Sequence, residues 1–443
     1  MATRRPSARR LTALAAPLVV IGSLTPVALA QPVLPGAPVP PSPLQFAEEA
    51  ARGLATSHLW SGPTDAATLS RDATRRDLVT LMQTVLRLPA GPIGSAWRDI
   101  ATDDPQGAAA RIAVQSGWLT TPGGSVSLDA PLTGRDANRA WTLGLGMRRA
   151  VARLSRFTDD SGRRFAVPAG FATSITAREA GLHRNYPSAD DGLERHDSQP
   201  MRLADLVFMA SQGALIRRGG LPSSVRALEA FRVPAIHPMF VPTVQRALSQ
   251  VGNAYVWGGE WTGTESPLDP QAAGGFDCSG LVWYVWYTGN RAAEAAINVP
   301  DGRTTYTMNV GRRGKRIAWQ SARAGDLVFF GDRGRTTPLD QASHTAISLG
   351  NKWIIHSSGG RAGVSITFLG TYWLRGLMNA RRFAVAEGTP AVPDPPVTTP
   401  IRPTPLGPEP TTPIPQLPAA GGGGAQAPQP VPAPPGPQPP APA

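Results

Sequence analysis

Cysteine is nearly absent from this 443-residue chain, which has only Cys278. An intramolecular disulfide is therefore impossible, and a zinc shell built on several thiolates is excluded. Lysine is almost as scarce: only Lys315 and Lys352 occur, so the net charge of +12 rests on arginine. The six histidines include no His-x-x-x-His spacing, and one thiol with a few imidazoles calls for no metal and no cofactor. The arginines are scattered rather than gathered into a stripe, and no nucleic-acid module is present, which argues against a nucleic-acid partner. Beyond the first 30 residues no stretch is long and apolar enough to cross a bilayer.

The first 30 residues read as a secretory signal. Arg4, Arg5, Arg9 and Arg10 precede the apolar run "LTALAAPLVVIGSLTPV", and Ala28-Leu29-Ala30 offers a small-x-small cleavage site. The paired arginines leave both general and twin-arginine export open. Cleavage there lowers the net charge from +12 to +8 and leaves no transmembrane segment. A basic secreted chain is drawn to anionic surfaces such as wall polymers.

Residues 31–43 form a short proline-rich linker. At the other end 21 of the 54 residues from 390 to 443 are proline, too little packing material to offset ordering entropy. Residues 385–443 are therefore expected to be a disordered Pro/Gly-rich tail. Between the tails, residues 44–235 read as helical and repeat-like. "TRRDLVTLMQTVLRL" at 74–88 puts Leu78, Leu81, Met82, Val85 and Leu86 on one helical face behind a Thr74 cap. "TGRDANRAWTLGLGM" at 133–147 repeats the Thr-x-Arg-Asp opening, and "MRLADLVFMASQGAL" at 201–215 is a weaker third copy. From 236 to about 384 the pattern changes to short strands and glycine turns around a few helices, an α+β layout.

In "GGFDCSGLVWYVW" (274–286) two glycines break the chain, Asp277 can cap, and Leu281, Val282, Val285 and Trp286 line a helical face. Cys278 is thereby expected at a helix N-terminus, where the dipole and free N–H groups favour a thiolate. A thiol nucleophile needs a base, and His58, His183, His196 and His237 lie in settings that read as structural or exposed. His344 and His356 lie in "SHTAISLGNKWIIH", two strands around a Gly-Asn turn, preceded by a strand at "GDLVFF" (325–330). A two-residue Gly350-Asn351 turn would point the two imidazoles to opposite faces. A three-residue loop, Leu349-Gly350-Asn351, sets His344 directly opposite His356, and this register is expected because it lets one ring orient the other.

"YVWGG" (255–259), "GFDCSGLV" (275–282), "RTTYT" (303–307), "AGDLVFF" (324–330), "SHTAISLGN" (343–351), "IIHSSGGRAGVSI" (354–366) and "YWLRGLMNARR" (372–382) occur in the order of NlpC-type peptidoglycan endopeptidases, which residues 240–384 resemble. The resemblance implies a papain-like fold with Cys278 as nucleophile, His344 as general base and His356 as its orienting partner. It also implies an oxyanion site at Tyr255 and the Cys278 N–H, with Asp277 and Ser279 contacting the substrate's free amine and backbone. "EWTGTESPLDPQAA" (260–273) departs from that pattern as an insertion, read as a loop beside the cleft. Trp257, Trp261 and Trp283 are candidate groove residues, with core packing the default for Trp283. A second resemblance, over about 70–215, is to S-layer-homology repeats, through "AWRDIA" (96–101), "IAVQSGWL" (112–119) and "APLTGRD" (130–136).

These resemblances imply a secreted, wall-associated bacterial cysteine peptidase. Its substrate would be peptidoglycan stem peptides, cut at the D-γ-glutamyl-diamino acid bond through a thioester acyl-enzyme. The helical region would hold secondary wall polymers. Two alternatives remain: a non-catalytic wall-binding protein, and an amidase or acyltransferase using the same triad.

Overall fold

The computed structural model describes residues 42–95, 97–262, 272–287 and 300–383. The signal at 1–30, the tail at 385–443 and residues 263–271 of the insertion lie outside the described residues. The helical part contains α1 (Gln45–Thr56), α2 (Ala66–Leu69), α3 (Arg75–Leu86), α4 (Gly107–Gln115), α5 (Gly134–Gly144), α6 (Arg148–Leu154), α7 (Phe171–Glu179), α8 (Leu203–Gly219) and α9 (Ser223–Glu229). The mixed part follows with α10 (Val241–Leu248), the short strands β1 (Gly259–Trp261), β2 (Ala272–Ala273) and β3 (Gly275–Phe276), then α11 (Cys278–Tyr287) and α12 (Thr305–Val310). Its main strands are β4 (Lys315–Ile317), β5 (Leu327–Phe330), β6 (His344–Gly350), β7 (Trp353–Ser358), β8 (Gly363–Phe368) and β9 (Leu377–Arg382), with α13 (Thr371–Gly376) before the last. No helix among the described residues is long and apolar enough to cross a membrane.

Local chemistry sets the helix starts where the Thr-x-Arg-Asp openings place them. Thr74 accepts from the Asp77 N–H while Asp77 accepts from the Thr74 N–H, a reciprocal cap that satisfies two otherwise orphaned donors. Thr133 caps α5 by accepting from the Asp136 N–H at 3.2 Å. The third segment has no side-chain cap. Instead the three entry segments tie to one another. The Ala73 N–H donates to the Met201 carbonyl (2.8 Å), the Met201 N–H to the Leu132 carbonyl (2.9 Å), and the Leu132 N–H to the Ala73 carbonyl (2.8 Å). This closed ring of backbone bonds fixes the starts of α3, α5 and α8 around a common point. Trp141 on α5 is fully buried against Gly213 of α8, where an added Cβ would lie 2.9 Å from the indole. Glycine is required there by close helix approach.

The main sheet has the order β4-β9-β5-β6-β7-β8, with all pairs antiparallel. One set of its side chains (Leu327, Phe329, Ile347, Ile355, Ile366) joins Leu281, Val282, Val285 and Trp286 of α11 in the core. That core continues without a break from Leu44 to Phe383, so helices and sheet share it. Phe231 meets Trp353 edge-on at 4.9 Å between ring centroids, and Arg178 of α7 donates to the Ala362 carbonyl while pairing with Asp197 at 2.8 Å. The sheet's alternate side chains (Val328, Phe330, Ala346, Ile354, Ala380) form a second apolar cluster beside Trp373 and Leu374 of α13.

Trp141→Ala is expected to lower stability by about 3–5 kcal/mol, since it removes a fully buried indole that the neighbouring helices cannot collapse to replace. A urea midpoint shift at unchanged m value would show it; an unshifted midpoint would contradict the packing described.

Candidate active site

Three backbone approaches place Cys278. A Cβ on Gly259 would sit 2.5 Å from the Gly275 carbonyl oxygen, one on Gly275 2.6 Å from that of Ala254, and one on Gly280 only 1.8 Å from that of Gly259. No side chain fits between these chain segments. The Gly259 carbonyl instead accepts from the Asp277 N–H at 2.8 Å, which pins the start of α11 against β1. Asp277 caps the helix by accepting from the Gly280 N–H at 2.5 Å. Its carboxylate also accepts from the Ser279 hydroxyl and pairs with Arg303 at 3.2 Å. Arg303 further binds Glu260, Ser279 and the Gly258 and Gly259 carbonyls, so one guanidinium gathers β1 and the helix N-terminus. The "RTTYT" segment thus carries an ionic clamp, a role that its residue types alone do not disclose.

Cys278 is the first residue of α11, as its sequence setting indicates, but its buried surroundings oppose the expected thiolate. Burial, and then the neighbouring Asp277 carboxylate, push it up to about 11. The Thr305 hydroxyl, 3.4 Å from the sulfur, and the Thr345 and Ser279 backbone N–H groups oppose this without reversing it. The correction has a simple physical cause. Helix-terminal stabilisation of an anion amounts to about 1–2 kcal/mol at most, whereas desolvation of a buried charge outweighs it. Tyr255 also faces this pocket, its hydroxyl pushed further from ionisation by burial and by the Cys278 and Asp277 charges.

His344 and His356 are brought together, but not by the expected register. The tight turn is Asn351-Lys352, both at positive φ (51° and 66°), and Gly350 pairs with Trp353. That two-residue turn carries the twist suited to a hairpin. A bulge at Leu349 then shifts the pairing, giving Ser348 opposite Ile354 and Ile347 opposite Ile355. In that register His356 faces position 346, so His344 is its diagonal neighbour on the same side of the sheet rather than its direct partner. Diagonal pairs remain within reach of long side chains. The rings meet at 2.8 Å between His344 Nε2 and His356 Nδ1, leaving His344 Nδ1 outside this bond. Burial lowers His344 to about 4, and burial together with the charges of His344 and Arg361 holds His356 well below its ordinary range. Both imidazoles are therefore neutral at neutral pH.

Several residues complete this environment without a sequence signal that marked them. Trp373 packs its ring 4.9 Å from His356, which is fully buried, and 5.4 Å from His344, which is partly exposed. His356 Nε2 lies 3.0 Å from the Thr367 hydroxyl, which donates to Glu179 at 2.6 Å. Asp191, in the helical part, accepts from the Trp257 N–H at 2.7 Å beside Tyr255. Trp257 is 53 % exposed, while Trp261 stacks edge-on against Tyr284 and Trp283 packs partly buried against the core. The other four histidines lie apart from this cluster; His183, for example, bonds Asn138 at 2.6 Å.

The part of the chain that carries Cys278, His344 and His356 has counterparts among known proteins. The NlpC/P60 family matches residues 252–382. These residues form an NlpC/P60 domain. Curated relatives of this domain include murein DD-endopeptidase MepH of Escherichia coli, 33 % identical over 31 % of this chain and 44 % of its own. Probable peptidoglycan endopeptidase LytE of Bacillus subtilis is 36 % identical over 32 % and 33 %. The chain thus matches less than half the length of either relative. Among solved structures, the P60 domain of an M. avium paratuberculosis antigen is 27 % identical, with 32 % of this chain and 88 % of that one covered at a TM-score of 0.22.

In the NlpC/P60 domain, a thiol pKa of about 11 leaves roughly one part in 10⁴ ionised at pH 7. Iodoacetamide labelling of the folded protein is therefore expected to accelerate about tenfold per pH unit from 7 to 10. Saturation below pH 9 would refute the buried, neutral thiol.

Proposed function

We propose that this chain is a secreted, wall-associated cysteine endopeptidase that hydrolyses peptidoglycan stem peptides at the D-γ-glutamyl-diamino acid bond. The observation that carries this reading is the 2.8 Å imidazole pair, whose His344 is followed directly by Thr345, the residue whose backbone N–H acts on the Cys278 thiol. Two relatives are named as a murein DD-endopeptidase and a probable peptidoglycan endopeptidase, which supports the substrate class. Cys278 acts as nucleophile, His344 as general base and His356 as its orienting partner. With thiol and imidazole both neutral at rest, the proton moves during attack. His344 Nδ1 takes it as the sulfur bonds to the scissile carbonyl carbon. The Tyr255 hydroxyl and the Cys278 N–H stabilise the oxyanion. Collapse breaks the C–N bond, His344 protonates the departing amine, and a thioester remains. Water, deprotonated by His344, then releases the carboxylate product and restores the thiol. Asp277 and Ser279, held by Arg303, border the position proposed for the substrate's free amine. The exposed aromatic rings of Trp257, Tyr306 and Tyr372 suit the apolar faces of a wall polymer.

The helical part is proposed to bind secondary wall polymers, in keeping with its triplicated helix entries and its resemblance to S-layer-homology repeats. A second reading, a non-catalytic wall-binding protein, is favoured by one observation, the neutral thiol bonded to Thr305. Cys278→Ala separates the two. Wild type should release stem fragments from purified muropeptides, and the variant should be slower by about 10⁴-fold or more while retaining binding to sacculi. Equal release by both would remove the cysteine mechanism. Product analysis distinguishes peptidase from amidase or acyltransferase chemistry.

The pH dependence follows from the imidazoles. Because burial disfavours imidazolium, the base stays neutral well below its ordinary range, and kcat/KM is expected to hold through pH 5 and fall towards pH 4. An acid limb centred near 6.5 would show that His344 is solvated in the working enzyme.

A further inference from the structure

Behind the imidazole pair runs a chain of hydrogen bonds that leaves the NlpC/P60 domain altogether. His356 Nε2 is 3.0 Å from Thr367 Oγ1 on β8, and Thr367 Oγ1 is 2.6 Å from Glu179 Oε1. Glu179 is the last residue of α7, in the helical part, and is 2 % exposed. The same oxygen accepts from Ser365 Oγ at 3.1 Å and lies 3.2 Å from Arg361 Nε.

We propose that Glu179 is a positioning residue for the catalytic pair, supplied by the helical part, whose Oε1 sets the direction of every bond back to His344. This rests on the cysteine-peptidase reading above. Arg361 can only donate, so Glu179 Oε1 is an acceptor towards it and towards both hydroxyls. Thr367 has one proton, given to Glu179, and must accept from His356 Nε2–H. His356 Nδ1 is then the lone-pair nitrogen and accepts from His344 Nε2–H. That leaves the His344 Nδ1 lone pair for the Cys278 proton. A single buried oxygen therefore selects the one tautomer of two neutral imidazoles in which His344 is a base on its free side. Without it each ring has two tautomers of similar energy, and only one is competent. When His344 becomes cationic during attack, a chain ending on a carboxylate also stabilises the charge better than an isolated neutral imidazole.

The test uses the full chain carrying Thr367→Val, Thr367→Ser and Glu179→Gln, with folding checked by circular dichroism. Readouts are kcat and KM on muropeptides and the ¹⁵N shifts of the two imidazoles. Thr367→Val is expected to lower kcat by about 10–100-fold with KM unchanged, because no relay residue is placed against substrate. Its imidazole nitrogens should move from distinct protonated and unprotonated shifts towards tautomer-averaged ones. Thr367→Ser should restore both within about threefold, a rescue that loss of packing would not show. Glu179→Gln keeps size and one acceptor oxygen and should fall between; it decides the matter by the same readouts if the valine variant does not fold. Wild-type kcat and unaveraged shifts in folded Thr367→Val and Glu179→Gln would overturn the proposal. Should wild type and Cys278→Ala both leave muropeptides intact, the peptidase reading fails, and the ¹⁵N shifts alone decide the relay.

Discussion

The site depends on backbone meeting backbone at Gly280. Its Cα faces the Gly259 carbonyl so closely that a single methyl group would occupy the oxygen's own space. Removing that freedom would displace the head of α11 from β1, and with it the sulfur, the Asp277 cap and the Arg303 clamp. Overpacking of this kind costs about 1–3 kcal/mol where surroundings relax, and more where the opposing atom is itself main chain. Gly275 and Gly280 therefore belong to the frame of the site as much as the cysteine between them.

Around that fixed point burial dominates the electrostatics. The thiol and both imidazoles are shifted towards their neutral forms, and burial is the first cause in each case. A neutral resting pair avoids holding two charges in a desolvated space, where attraction between them must overcome the loss of hydration. In the proposed cysteine chemistry the reactive charge then exists only while substrate supplies an oxyanion for the surrounding donors to meet. Trp373 packs against both rings.

The helical and mixed parts meet through more than apolar contact. Arg178 fastens the loop before β8, Asp191 receives the Trp257 N–H beside Tyr255, and Glu179 reaches the hydroxyls behind His356. These contacts come from segments some 60 to 190 residues away from their partners in sequence. A shared core from Leu44 to Phe383 makes such reach possible, because neither part has to pay separately for its inner surface.

Much was legible in the order of residues. Thr74 and Thr133 announced their helices, because capping is a local exchange between positions three apart. The α11 start at Cys278 and the strands at Leu327, His344 and Trp353 followed from turn residues and apolar spacing. Register was not legible. The choice of Asn351-Lys352 as the turn and the bulge at Leu349 depend on how both strands fit their outer neighbours, so a local count of loop residues missed them. Nor could the thiol's protonation be read from its helix position, since desolvation is a sum over everything packed around the sulfur. By itself the sequence determined which chemical groups exist and where helices and strands begin, because those choices are settled within a few residues. Tertiary structure alone decided which imidazole nitrogen faces outwards, which charges survive burial and which distant carboxylate stands behind the pair, because each is set by neighbours that only folding brings within a few ångströms.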